Sequence, residues 1–452
     1  MNGGAVNDGS LASMRHLWVL MGTVFIDMVG FLIVLPLLPF YGERYGATET
    51  TIGLMISIFA FAQLTSAPLW GRLSDRLGRR PVILGSLAVT AAAFVLFGLA
   101  ESVWVLFLSR AVQGVGSGTT GVLQAYVSDS VPPDKRTKAL GWVTAATSAG
   151  VMVGPLLGSA AFRLGEGAPG FLAAGMCGLN FLFAWLLLPE SIGSEAGRDD
   201  AEREAAIAVA SAGGPEAPPP PPPRRTSLRR TLFHVLTHPA DERSRLIWVY
   251  ALGMMAFMAM NGVMVLYLER AFAVSEENIG WFYTYVGGVS LLMRALVLGP
   301  VNERLGDVRT LRLGTLGLCL GLAAIPLPRL LLPGHDVAAF AGLAVVVVLV
   351  PVGTALLFPA TTSLVSRLSV RTETGQNLGV QQAFGGVARM VGPIWSTAVF
   401  QYVGISAPFW LAAALMGAVG LVAFGVQRPG GRVRREAVEG GPAAEAVPLE
   451  PE

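Results

Sequence analysis

Twelve apolar stretches, most about twenty residues long, recur along this chain, near residues 17–40, 52–70, 82–100, 103–126, 139–162, 170–188, 246–267, 279–299, 310–328, 337–358, 376–400 and 404–426. A hydrocarbon core about 30 Å thick takes about 20 residues of helix at about 1.5 Å rise per residue. The pattern therefore predicts an all-α membrane protein of twelve transmembrane helices joined by short loops. Composition agrees, with only 14% of residues charged and a mean hydropathy of +0.59, where soluble domains carry about a quarter charged residues. Cys177 and Cys319 both lie inside apolar runs and read as small core residues. Two lysines stand against thirty arginines with a net charge of only +2, which argues against a nucleic-acid partner. The first run is too long for a signal-peptide core and lacks a small-residue cleavage site, so it is expected to be retained.

Charge in the short connections alternates. One set of segments holds Arg15, then 72, 76, 79 and 80, then 135, 136 and 138, then 304, 309 and 312, then 367 and 371, then 428, 432, 434 and 435. The opposite set holds Arg44, Arg163, Arg270 and Arg329 alone. The positive-inside rule then places both termini in the cytoplasm. Residues 189–245 break the pattern: they are charged, and a proline run from Pro218 to Pro223 is followed by Arg224, Arg225, Arg229 and Arg230. They read as a cytoplasmic tether between an amino-terminal bundle (1–188) and a carboxy-terminal bundle (246–427), with 428–452 as a cytoplasmic tail.

The two bundles are related in sequence. At an offset of 228, Gly71-Arg72-Leu73-Ser74-Asp75-Arg76-Leu77-Gly78 meets Gly299-Pro300-Val301-Asn302-Glu303-Arg304-Leu305-Gly306. At an offset of 238, Val153-Gly154-Pro155 meets Val391-Gly392-Pro393. Two six-helix units related by an axis along the membrane normal are one way in which secondary transporters are built.

These motifs carry a resemblance to a known family. GRLSDRLGRRPVI after the second span, RAVQGVGSG at 110–118, AYVSDSVPPDKRTKALG at 125–141 and GVMVGPLLG at 150–158 occur in the order found in the major facilitator superfamily, among its twelve-helix drug:proton antiporters of the tetracycline-efflux type. Asp27, Gly30, Pro36 and Pro39 of the first span complete the set; the carboxy-terminal half resembles the family more loosely. The resemblance implies a monomeric, multi-pass protein of a bacterial cytoplasmic membrane. It also implies a gating loop of Gly71, Asp75, Arg76, Gly78, Arg79 and Arg80, in which Asp75, Arg79 and Asp129 form a charge relay that locks one state. The competing reading of these charges is a positive-inside topology signal alone. Gly150, Gly154 and Gly158 share one helix face beside Pro155, a small-residue surface for close packing that the resemblance associates with antiport.

Charges inside the spans are sparse. Asp27 is the one acid placed well inside a span, and Arg110, Arg294 and Arg389 are the basic residues there. Such groups are expected to pair or to face a wet cavity. The resemblance puts the first and fourth spans on a central cavity, so Asp27 and Arg110 are expected to pair and to couple proton movement to transport. Arg110 as a fixed structural brace is the competing reading. Arg294 is close enough to the span end to snorkel, and Arg389 stays open. Gln63, Gln113, Asn261 and Arg389 are the candidate cavity residues, each equally suited to bonding a neighbouring helix. The best reading is proton-coupled export of a small amphiphilic molecule. An anionic metabolite is the alternative, since one buried acid faces three arginines, and a non-transporting receptor or scaffold ranks lower. No grouping of nucleophile and base, phosphate loop or metal-ligand spacing is present, so neither enzyme, cofactor nor metal is expected.

Overall fold

A computed structural model describes residues 21–119, 121–123, 125–126, 133–188, 190, 228–369 and 373–426, with side chains in the fifth helix described from Gly141 onward. Every regular element among them is a helix. The amino-terminal half contains α1 (Met21–Arg44), α2 (Glu49–Leu77), α3 (Arg79–Gly98), α4 (Val103–Gly116), α5 (Pro133–Phe162) and α6 (Ala168–Leu187). A short helix, α7 (Leu228–Thr237), precedes α8 (Glu242–Phe272), α9 (Ile279–Leu305), α10 (Asp307–Leu331), α11 (Asp336–Leu368), α12 (Thr374–Tyr402) and α13 (Ala407–Phe424). Ten of these, all except α4, α7 and α12, are long and apolar enough to cross a membrane. Helices suit that environment because they satisfy backbone hydrogen bonds internally. The described run of α4 is 14 residues, whereas α12 is long but carries Gln376, Asn377, Gln381, Gln382 and Arg389.

Local sequence explains the breaks. Pro36 and Pro39 convert the middle of α1 into a 3₁₀ turn over Leu35–Leu37. The side chain of Thr48 caps α2 by accepting from Thr51 N. A π turn, Met293–Val297, interrupts α9. Within the first half α3 packs on α4 and α6, and α2 on α4; within the second, α8 packs on α12 and α13, and α10 on α11 and α13. The halves meet along two seams, α2 on α12 and α5 on α9.

Two expectations change. The glycine motif does not form a loop from its first residue. Helix α2 continues through Leu77, Gly71 lies within it with open space where a Cβ would point, and only Gly78 turns the chain, at φ +104°. Gly306, its repeat, turns at φ +75°. Nor is the linker a plain tether up to residue 245. Its described end folds as α7, held where Trp248 Nε1 donates to Val235 O at 3.1 Å and Gln376 Nε2 to Thr231 Oγ1 at 2.6 Å, and α8 begins at Glu242.

Candidate functional site

The seams between the halves are the same structure built twice. A Cβ on Gly53 of α2 would stand 2.0 Å from Thr397 Oγ1 and 2.7 Å from Pro393 O of α12. A Cβ on Gly280 of α9 would stand 2.5 Å from Pro155 O and 2.8 Å from Ser159 Oγ of α5. In each seam the carbonyl approached is the proline's own, and a glycine on the facing helix lets the backbone come close. Ser159 tightens its seam further, donating to Glu276 O at 2.7 Å and accepting from Gly280 N at 2.9 Å. Thr50 does so in the other, donating from N and Oγ1 to Gln401 Oε1 at 3.1 and 2.6 Å. The glycine face of α5 turns the other way. Cβ atoms on Gly150, Gly154 and Gly158 would meet Phe25 O, Val29 O and Ile33 O of α1 at 2.9, 2.8 and 2.4 Å. That motif therefore joins α5 to α1 within one half, while Pro155 faces the other.

Asp27 lines a small pocket between α1, α3 and α4, together with the hydroxyl residues Thr23, Ser86, Thr90, Ser117 and Thr119 and the apolar Ile83, Leu87 and Leu123. Ser86 and Thr90 lie one turn apart on α3, and Thr119 Oγ1 reaches Ser86 Oγ at 3.2 Å. Hydroxyl groups both donate and accept, so such a lining can solvate a carboxylate and a carboxylic acid alike. These hydroxyls were not singled out from sequence; the i, i+4 spacing on α3 was the available signal.

Arg110 is fully buried and takes a different direction. Its Nη1 donates to Gln113 Oε1, and its guanidinium carbon lies 4.9 Å from the Phe59 ring centre and 5.7 Å from that of Phe31. Among the described residues, Arg110 Nε and Nη2 and Gln113 Nε2 have no acceptor. No Asp27–Arg110 ion pair is formed: the acid lines the pocket beside α3 while the base is clamped by aromatic faces. Gln63 Nε2 donates to Ser117 O at 3.2 Å, tying α2 to α4, and Asn261 Nδ2 donates to Phe257 O of its own helix at 2.9 Å. Arg389 is half-buried on α12, and Arg294 is exposed at the π turn of α9.

In the charged motif, Arg79 Nη1 donates to Asp75 Oδ1 and to Ser74 Oγ, both at 2.6 Å. Asp129, the third member of the expected relay, lies outside the described residues. Glu190 supplies a contact not anticipated from sequence. Its carboxylate accepts from the backbone N–H of Arg79 at 2.8 Å and of Arg80 at 3.2 Å, capping α3, and Arg80 also donates to Trp185 O. Arg76 points to the surface.

The family model described as Major Facilitator Superfamily matches residues 20–328 and 246–449, which together span nearly the whole chain. The chain belongs to the major facilitator superfamily. As a member it is a multi-pass integral membrane transporter and not an enzyme. Over 304 residues the chain is 28% identical to the tetracycline resistance protein, class E, of Escherichia coli, covering 66% of this chain and 69% of that one. It is 24% identical to multidrug resistance protein 2 of Bacillus subtilis, covering 88% and 92%. Among solved folds, the human organic anion transporter MFSD10 (TETRAN) superposes with a TM-score of 0.64 at 23% identity, covering 91% of this chain and 99% of that chain.

Proposed function

We propose that this transporter exports a small amphiphilic molecule in exchange for protons by alternating access. In this reading twelve membrane-spanning helices form two six-helix bundles in a bacterial cytoplasmic membrane, with both termini in the cytoplasm and α4 and α12 completing the set. The observation that carries the coupling is Asp27, the acid set deep in α1, lining a pocket that also carries hydroxyls. Likeness to tetracycline and multidrug resistance proteins supports the choice of substrate class. A coupling group must gain and lose a proton as access alternates, which aspartate does and arginine at biological pH does not. With Arg110 directed elsewhere, the proton on Asp27 is exchanged through the hydroxyl pocket. Movement of α1 against α3 and α4 then links it to the substrate path. The test is pH-driven substrate accumulation in inverted membrane vesicles: Asp27→Asn abolishes it while passive exchange persists.

A second reading, transport of an anionic compound, is favoured by one feature. The buried donors Arg110 Nε, Arg110 Nη2 and Gln113 Nε2 lack an acceptor among the described residues, and a buried donor without a partner is costly. A carboxylate or phosphate on the substrate would satisfy them. Parallel uptake of an anionic and a cationic amphiphile by the same vesicles separates the two readings.

A further inference from the structure

The two halves also exchange arginines at the end of the molecule remote from the Gly71–Arg80 motif. Helix α1 reaches its end with Tyr41-Gly42-Glu43-Arg44, and α8 approaches its end with Tyr267-Leu268-Glu269-Arg270, four residues of nearly matching type at an offset of 226. Arg44 crosses to the second half and pairs with Glu276 at 3.0 Å, while holding Glu166 of its own half at 2.7 Å. Arg270 crosses the other way and pairs with Glu43 at 3.3 Å and with Glu49. Each arginine therefore grips the segment that leads into, or begins, the helix following its counterpart. The supports repeat as well. Arg44 lies over the Phe162 ring and Arg270 over the Phe400 ring, both at 5.5 Å, and these phenylalanines sit at equivalent positions of α5 and α12. Arg163 adds a looser pair with Glu277 at 3.5 Å.

We propose that Arg44 and Arg270 form a reciprocal latch that holds this end shut and so sets the balance between the two access states; the proposal rests on the alternating-access reading. A lone exposed ion pair contributes little. Here both guanidiniums are steered by an aromatic face, both pair across the same boundary, and each engages two carboxylates. Six acids (Glu43, Glu49, Glu166, Glu269, Glu276 and Glu277) crowd around three arginines. Removing the arginines leaves like charges facing each other across the boundary, which favours separation.

The test uses Thr397→Cys in the full-length chain, a seam position with no exposure in the latched state, labelled by a membrane-impermeant maleimide over the background of the parent protein. Arg44→Gln combined with Arg270→Gln raises the labelling rate about fivefold. Restoring the pair in reversed polarity, Arg44→Glu with Glu276→Arg, labels more slowly than Arg44→Glu alone. Unchanged labelling in the glutamine variant, or a reversed pair that labels as fast as Arg44→Glu alone, overturns the latch. A Thr50→Cys/Gln401→Cys disulfide, placed across the same boundary, stops transport until it is reduced. Transport that survives this crosslink overturns alternating access itself, while the labelling rates still decide whether the latch exists.

Discussion

The two ends of this molecule are furnished with the same residue types and use them in opposite ways. At one end arginines and glutamates pair between the halves, as Arg44 does with Glu276 and Arg270 with Glu49. At the other end the described pairs stay within a half: Arg79 with Asp75 in the first, and Arg367 with Asp307 at 3.0 Å in the second. The seam helices follow suit, since the glycine and hydroxyl contacts that join α2 to α12 and α5 to α9 cluster towards the paired end. One end is thus sealed by contacts between the halves that a rocking motion would break, and at the other the described pairs brace each half from within. In the alternating-access reading proposed above, this is one state of a bistable pair, and the charges at the braced end are the proposed set that closes in the other.

The comparison breaks most completely at the group between the ends. Asp27→Asn keeps the shape of the side chain and removes its titration, so pH-driven accumulation falls to background while the protein inserts normally and exchanges substrate passively. Vesicle transport with and without an imposed pH gradient measures this. The seal itself breaks with Gly280→Val, because the added side chain runs into Pro155 O and Ser159 on α5. Transport should fall roughly tenfold, in keeping with an overpacking penalty of about 1–3 kcal/mol on the closed state. Gly288→Val, whose nearest obstacle is Met152 Sδ at 3.7 Å, changes it little, and initial transport rates of the two variants side by side check the contrast. At the braced end, Asp75→Asn removes a partner of Arg79 and should cut transport several-fold without altering membrane insertion. The smallest effect belongs to the tether: trimming residues 196–222 leaves Glu190 on α3 and α7 on α8 and α12, and transport stays at the parental level.

Much of this was legible in the sequence because a bilayer imposes a length and a hydropathy on each span. The offsets of 228 and 238 already contained the pairing of Pro155 with Pro393, although not that each proline faces a glycine of the opposite half. That fact depends on how α9 and α2 lie, which no local pattern encodes. Asp27 and Arg110 were legible as unusual residues but not as separate ones. Their depth in apolar spans marked both and the family resemblance put them on one cavity, whereas packing shows Asp27 lining a pocket beside α3 and Arg110 held by Phe31 and Phe59. The arginines of the sealed end were counted from sequence as the sparse positive charges of their loops. Their function was hidden because their partners lie more than two hundred residues away. Gly71 misled for a simpler reason: a glycine allows a turn without requiring one, and α2 continues through it.

The central claim is that substrate and protons move in opposite directions through this protein, and proton flux measures it directly. Purified transporter is reconstituted in liposomes containing a pH-sensitive dye, and a substrate gradient is imposed with no initial pH difference. The account predicts that substrate entering the liposome drives protons out, so the lumen becomes more alkaline, and that Asp27→Asn abolishes the signal. Substrate movement with no change in luminal pH, or with acidification of the lumen, would contradict it.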